Sequence, residues 1–424
     1  MKRGILLILS ATVAVSLSAP AEAYTFLDRS YGTPQLGLSA RARGMGGAGV
    51  ALGNGPWSLV DNPGAMSLSK GTRVDVLGGL SRDSENRFVP LFDTFDSFVD
   101  ENAVAVNDHT FGFLNGGAVV DPWDSVILGF GYFERYDPRY KYKDERRSTL
   151  TSDEVINNLI LETEGVLRSL TFGASYPIQG GHGVGLAVNY YHADYSSRQA
   201  LVPQASGSAQ GSQELARRLT GFSVTLGGVA TLSERITVGA ALETAPQLDN
   251  DYTLFTNGED VSPEVSNGDL DYPLRVQFGA AYRPRNDFRT TFALDLVYMP
   301  WTELKDSSPA NPDDSAYMPP DRLQDTWEAR FGLEHVFYND LPARIGFRYG
   351  QSYAMDEADR APFTFGFGYI VNAIRVDLGG EIGKRNSRQE PVRPRAEQGP
   401  AVGLSKDRIE DTTLTVTLGA SYSF

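Results

Sequence analysis

The last eleven residues, Leu414-Thr415-Val416-Thr417-Leu418-Gly419-Ala420-Ser421-Tyr422-Ser423-Phe424, alternate without a break. Leu414, Val416, Leu418, Ala420, Tyr422 and Phe424 share one face, and Thr415, Thr417, Gly419, Ser421 and Ser423 share the other. Successive side chains of a strand point to opposite sides, so this segment presents one apolar wall and one polar wall. The same period recurs in about fourteen segments, near 71–81, 110–120, 124–135, 166–176, 183–195, 217–231, 235–246, 271–283, 287–299, 325–337, 342–354, 361–371, 373–384 and 411–424. In the thirteenth, Ile374, Val376, Leu378 and Ile382 alternate with Arg375, Asp377, Gly379 and Glu381. In the tenth, Trp327, Ala329, Phe331 and Leu333 alternate with Glu328, Arg330, Gly332 and Glu334.

Connections between these segments alternate as well. Short turns follow the second (Asp121-Pro122), fourth (Ile178 to His182), sixth (Leu232-Ser233-Glu234), eighth (Arg285-Asn286), tenth (Tyr338-Asn339-Asp340) and twelfth segments, whereas most odd segments are followed by long polar stretches of roughly 20 to 30 residues. Short turns on one side and long loops on the other are the pattern of an outer-membrane barrel, with the short side periplasmic. An even strand count then places both termini in the periplasm. Hydrocarbon offers no partner to a backbone N–H or C=O, so a sheet that crosses it must close on itself. The expected fold is all-β: a transmembrane antiparallel β-barrel of about 14 strands.

Bulk properties agree. Mean hydropathy is −0.27 and the net charge is −15. After residue 23 no apolar run reaches the roughly 18 residues of a spanning helix. Barrels read as polar on average because lipid-facing and lumen-facing residues cancel. The acidic balance argues against nucleic acid as a partner. There is no cysteine, which excludes a disulfide, a thiolate metal site and a lipoprotein anchor. At the N-terminus, Lys2 and Arg3 precede an apolar run from Ile5 to Leu17 and then Ala21-Glu22-Ala23, the layout of a secretory leader covering 1–23. Cleavage would leave Tyr24 first and a net charge of −16.

Inward positions carry both signs: Arg73, Asp75, Glu243, Arg275, Asp295, Glu328, Arg330, Glu334, Arg344, Arg348, Arg375, Asp377 and Glu381. Mixed charge favours a mutually paired, wet lumen around a plug over a selectivity filter. Tyr132, Tyr190, Trp301, Trp327 and Tyr422 lie near strand ends and are expected to form interface girdles.

Residues 24–70 show no convincing alternation, and the barrel is expected to occupy 71–424. Gly44, Gly46 and Gly49 formally spell G-x-G-x-x-G, with Gly47 between them, but no strand precedes them as a dinucleotide site requires. Small residues instead let a backbone pack tightly, as a plug inside a lumen would. This glycine run, followed by Asn62-Pro63-Gly64, resembles the N-terminal hatch of the FadL/TodX type of long-chain fatty acid and hydrocarbon transporters, although that family usually has Ala at the third position. Trp301-Thr302-Glu303-Leu304 and the stretch from Asp325-Thr326-Trp327 to Arg348-Tyr349 are also similar to that family. The resemblance implies a fourteen-stranded barrel with a lumenal plug and passive transport of hydrophobic small molecules across a bacterial outer membrane. The chain end, with Leu418, Tyr422 and Phe424, looks like the signal read by the barrel assembly machinery. The lipid and lipopolysaccharide of that membrane would then be further partners. Shuttle proteins of the PorV type share a similar Gly-Met-Gly start and Asn-Pro, which leaves a secretion shuttle or surface scaffold as the alternative.

Two outer loops are candidates for ligand capture. Phe88, Leu91, Phe92, Phe95, Phe98 and Val99 fall at helical spacing with Asp93, Asp96 and Asp100 opposite, for a helix that captures greasy ligands, lies against the outer leaflet or packs on neighbouring loops. Thr151-Ser152-Asp153-Glu154 has the form of a capping box, opening a second helix with Val155, Ile156, Leu159 and Ile160. For a sideways exit, Gly129 and Gly131 in the third strand are the expected weak point, since glycine loosens a strand. His109, His182, His192 and His335 are scattered and form no metal-ligand spacing, and no nucleophile constellation is present. Neither catalysis nor a cofactor is expected.

Overall fold

The structure, a computed structural model, describes residues 27–424 except 36, 70, 94, 96, 123–124, 148–154, 205–209, 264–265, 286, 288, 308–321 and 390–405. The leader at 1–23 and the capping box at 151–154 lie outside the described residues.

Fourteen strands form the wall: β1 (Arg73–Phe92), β2 (Phe98–Val120), β3 (Ile127–Asp137), β4 (Leu167–Ile178), β5 (His182–Pro203), β6 (Gly211–Ser233), β7 (Ile236–Glu243), β8 (Arg275–Tyr282), β9 (Thr290–Met299), β10 (Thr326–Val336), β11 (Pro342–Gly350), β12 (Phe363–Val371), β13 (Ile374–Gln389) and β14 (Asp407–Ser423). Each pairs antiparallel with the next, and β14 returns to β1 with Ser423 opposite Arg73 and Arg408 opposite Phe88, which closes the barrel. The pleat sorts side chains as the alternation requires. On β14, Thr415 and Thr417 are 5% and 1% exposed, whereas Val416 and Leu418 are 44% and 58% exposed. A belt of such outward residues, including Val76, Leu186, Leu226, Phe278, Ile345 and Leu378, surrounds the cylinder. Its hydrocarbon surface faces lipid.

The lumen is charged and paired. Arg73 meets Asp75, Arg330 meets Glu328, Arg344 meets both Glu334 and Asp377, and Arg348 meets Glu381. Tyrosines and Trp327 face outward at strand ends, but Trp301 does not belong with them. It is 1% exposed in the upper lumen, stacked 4.1 Å from Tyr353. It follows β9 in a short 3-10 turn (Trp301–Glu303) that turns the ring inward, and strand alternation does not extend through such a turn.

The outer elements differ from expectation. Residues 88–92 and 98–99 are the outer ends of the two strands of a long β1–β2 hairpin rather than parts of a helix. The Asp93 carboxylate accepts the N–H groups of Phe95 (2.8 Å) and Ser97 (2.9 Å), so an acid read as a polar helix face instead closes a turn. That hairpin also replaces the long loop expected after β1. Residues Val155–Glu164 are likewise a strand, paired with Tyr140–Arg147 on one side and with the outer part of β5 on the other. Asn157, Leu159, Leu161 and Thr163 fill its buried face, while Ile156 and Ile160 on the other face mask the period. The C-terminus closes beside the short turns, with the Phe424 N–H on the Thr72 carbonyl. The first described residues are not at that end. They lie high in the lumen, where Asp28 pairs with Arg360 and Arg385, because the segment before β1 threads downward through the barrel.

Candidate functional site

Residues 27–35 and 37–69 pack inside the cylinder and touch its wall on every side. Helical turns at Ala40–Arg43 and Ser58–Asp61 and a 3-10 stretch at Pro63–Leu68 give the segment its shape. Leu38, Trp57, Leu59 and Met66 bury against Leu77, Val119, Ile127 and Phe133. Arg41 forms a bidentate pair with Glu334 (3.0 and 2.7 Å), and the Gly49 and Val50 N–H groups donate to Asp295 (2.6 and 3.0 Å). The glycine run is where the two backbones meet. Gly46 has φ +67°, and a Cβ there would fall 2.5 Å from the carbonyl oxygens of Phe331 and Phe347. Gly44 lies against Gly366, and Gly47 against Arg330. The wall therefore occupies the space where a dinucleotide would sit on such a loop.

Asn62 is fully buried and joins three backbones. Its Nδ2 donates to the carbonyls of Val50 (2.8 Å) and Gly228 (2.9 Å), and its Oδ1 accepts the Gly64 N–H (3.0 Å). Pro63 and Gly64 rest on Gly185 and on Gly227 and Gly228.

The wall is interrupted at β3. Val120 to Gly116 of β2 pair with Leu128 to Tyr132, and there the ladder stops. Residues 98–115 of β2 are paired on the β1 side alone among the described residues. β3 stays with β4, and a bulge between Glu134 and Tyr136 turns its upper half into the lumen. A bulge adds one residue to a strand and bends it. Here the extra residue is Arg135, which is 2% exposed. Its guanidinium donates to Glu243 (2.7 Å), and Glu243 also accepts from Arg275 (2.7 Å), Tyr191 (2.5 Å) and Ser223 (2.8 Å). Tyr136 enters an aromatic cluster with Tyr272 (4.3 Å) and Trp301 (6.2 Å). Thr33 and Pro34 pair with Asp137 and Tyr136, so the plug's first strand holds the bent segment from within. Gly32, at φ +83°, allows this approach, since a Cβ would meet the Asp137 backbone at 2.8 Å.

Gly129 and Gly131 lie just below the interruption but do not make it. Both face the lumen, where a Cβ on Gly129 would strike Met66 and Leu59 of the plug and one on Gly131 would strike the Phe133 ring. They make room for packing, and the departure follows from the bulge above them.

Outside the interruption lies a depression of about 630 Å³ lined mainly by Val74, Val76, Leu114, Ala118, Phe130 and Tyr132. Inside, a cavity of about 110 Å³ separates the plug's first residues from β9 to β14, with Met299 and Trp301 beside Arg43, Glu328 and Arg348. The expected capture residues are not gathered there. Phe95 and Phe98 are exposed at the hairpin tip, and Phe88 lies under the Arg408 guanidinium at 4.1 Å. Leu91 and Phe92 belong to β1, Val155 is half-buried, and Leu159 is 3% exposed beside Tyr140 and Tyr142. Leu418, Tyr422 and Phe424 project outward. His192 stacks on Tyr132 (5.6 Å) and Tyr190 (6.2 Å) on the outer wall, with its Nε2 3.2 Å from the Tyr132 hydroxyl. Sequence reasoning missed Asn115, Arg135, Tyr136 and Arg139. The one local sign was Glu134-Arg135-Tyr136-Asp137-Pro138-Arg139, where alternation fails and a proline follows.

No protein-family model matches the chain, and no curated protein matches it. Solved structures do. A Pseudomonas aeruginosa FadL homologue superposes with a TM-score of 0.64 at 13% identity, over 96% of this chain and 100% of that one. The Pseudomonas putida toluene transporter TodX gives 0.64 at 17% identity over 92% and 99%, and the Ralstonia pickettii toluene transporter TbuX 0.58 at 16% over 90% and 97%. The chain has the fold of these barrels over nearly its whole length.

Proposed function

We propose that the protein is a bacterial outer-membrane channel that passes hydrophobic small molecules, such as long-chain fatty acids or similar lipophiles, down their own gradient. The carrying observation is the break between β2 and β3, which opens on an apolar depression at the level of the lipid belt. A lipophile admitted at the outer loops would enter the aromatic upper lumen and leave sideways into the bilayer through that break. The solute then never has to cross the ion-paired lower lumen that the plug fills. The fold likeness to toluene transporters supports this reading. So does the wall's occupation of the glycine run, which leaves the solute's gradient as the driving force. A secretion shuttle would instead be served by loops sealed over a polar lumen, which an apolar opening in the wall does not favour. The cleaved leader and the outward aromatic end, read by the barrel assembly machinery, belong to the same proposal, as do lipopolysaccharide contacts around the outer rim.

The test is uptake of labelled palmitate and toluene by cells lacking the protein, with and without the gene restored, beside a labelled disaccharide. Restoration should raise uptake of one or both lipophiles and leave the disaccharide unchanged. Equal uptake in both strains would remove the transport reading.

A further inference from the structure

Where the β2–β3 ladder stops, the wall is not left open. Side chains bridge the two sides of the seam. The Asn115 Oδ1 accepts the Glu134 N–H at 2.6 Å. The Arg139 Nη1 donates to the Gly112 carbonyl at 3.0 Å, and the Asn107 Oδ1 accepts the Lys143 N–H at 3.1 Å. Each bond joins a side chain on one edge to backbone on the other. From 107 to 115 an extended strand runs roughly 27 Å. A regular ladder along that length would carry a row of mutually supporting backbone bonds.

The physical difference decides how the seam behaves. Opening a ladder breaks many bonds at once and strands backbone groups on both edges, which is prohibitive in lipid. A side-chain bridge breaks without a whole ladder breaking with it, and each such bond contributes about 1 kcal/mol net, although a full swing of Arg139 also gives up its Asp137 pair and Phe111 contact. The bridging groups are also held ready. Asn115 is 2% exposed. Arg139 is gripped by Asp137 at 2.9 and 2.6 Å and lies over the Phe111 ring at 4.8 Å. Meanwhile the Arg135–Glu243 pair and the Thr33–Asp137 bridge keep the bent strand from rejoining β2. The two backbones are thus held apart, and the bridging side chains are what spans the seam.

We propose that Asn115 and Arg139 are the latch of this opening and set the cross-section of the solute that leaves through it. Both reach backbone across the seam where the apolar depression begins, with the exposed Leu114 beside Asn115. The inference rests on the transport reading and adds which residues select. A single acyl chain is slender enough to pass with one bridge open, whereas a fused-ring hydrocarbon requires both open together.

The experiment uses the full chain in lipid vesicles. Wild type, Asn115→Ala, Arg139→Ala, the double variant and Arg139→Lys are compared for the rates at which palmitate and pyrene pass. Backbone hydrogen exchange at Glu134 is followed in parallel. The pyrene-to-palmitate ratio should rise about tenfold in the double variant, the effect of about 1.4 kcal/mol on a barrier, and less in each single one. Arg139→Lys, which keeps a donor for Gly112, should remain near wild type. Exchange at Glu134 should speed up in Asn115→Ala but not in Arg139→Ala. Wild-type passage with an unchanged ratio in the double variant overturns the latch even if exchange rises, since the bonds are then only structural. Wild-type vesicles that pass neither probe overturn the transport reading itself.

Discussion

At the scale of single residues, two buried acids behave oppositely. Glu243 is saturated, with two guanidinium groups and two hydroxyls on its carboxylate. Replacing it by alanine leaves Arg135 and Arg275 buried without their anion, which costs about 3–5 kcal/mol. Equilibrium unfolding in bilayers should show that loss, and Arg135→Ala combined with Glu243→Ala should cost less than the two changes summed, because the second removes a group the first has already orphaned. Asp61, in the plug, is the contrary case. Burial raises its carboxyl above the usual range, against the opposing pull of Arg330 and Arg275. A raised carboxyl keeps its proton longer when the plug is docked than when it is free. Docking therefore weakens as pH rises from about 4 through the raised value, and the penalty is complete above it. Asp61→Asn should slow proteolysis of the plug at neutral pH, and that advantage should vanish near pH 4. An advantage equal at both pH values would count against a charge origin. Neither acid's role was legible in the sequence: Glu243 stood there as one lumen charge among many, and its partners are more than 20 residues away on other strands or are Ser223.

At the scale of elements, legibility followed the solvent. Every wall strand could be read where lipid on one face and water on the other enforce a period of two. Above the lipid both faces meet water or protein, the period fades, and Phe88 to Phe92, Phe98 and Val155 to Ile160 imitated helices while forming strands. The seam left no periodic mark either, because Asn115 reaches a backbone group 19 residues away. The glycine run gave the plug but not its docking points, which depend on wall carbonyls brought together only by closure. Gly46 is the sharpest of these. An alanine there carries a strained positive φ and a Cβ 2.5 Å from two wall carbonyls, and such overpacking costs about 1–3 kcal/mol. Gly46→Ala should leave the barrel folded, still compact and faster-running in unheated than in heated SDS gels, but should expose Arg41 and Arg43 to trypsin and raise ion conductance across planar bilayers. Trypsin resistance equal to wild type would show that the plug seats without that close approach.

At the scale of the whole molecule, closure makes the outer surface a depth gauge. Leu418 projects from the middle of β14's outward row, between Gly78 of β1 and Leu378 of β13, whereas Tyr422 projects near the end of the strand, between Val74 and Ile374. The cost of a cation on such a face depends on how far it must reach to find water. An arginine at the midplane costs about 2–4 kcal/mol and one near the interface about 0–1 kcal/mol. Leu418→Arg should therefore destabilise the folded barrel strongly in bilayer unfolding titrations, and Tyr422→Arg little. Thr417→Arg tests the opposite wall. Thr417 is 1% exposed and bonds the Gly379 carbonyl in the lumen, where the Ala40 carbonyl of the plug is also close, so the penalty there is one of crowding rather than of lipid. Bilayer thickness separates the two origins. Thinner lipids bring water nearer to residue 418 and should reduce the Leu418→Arg penalty, while the Thr417→Arg penalty should stay the same. If both penalties were independent of thickness, the Leu418 face would not be the lipid-facing one, and the barrel's orientation of inside and outside would have to be reversed.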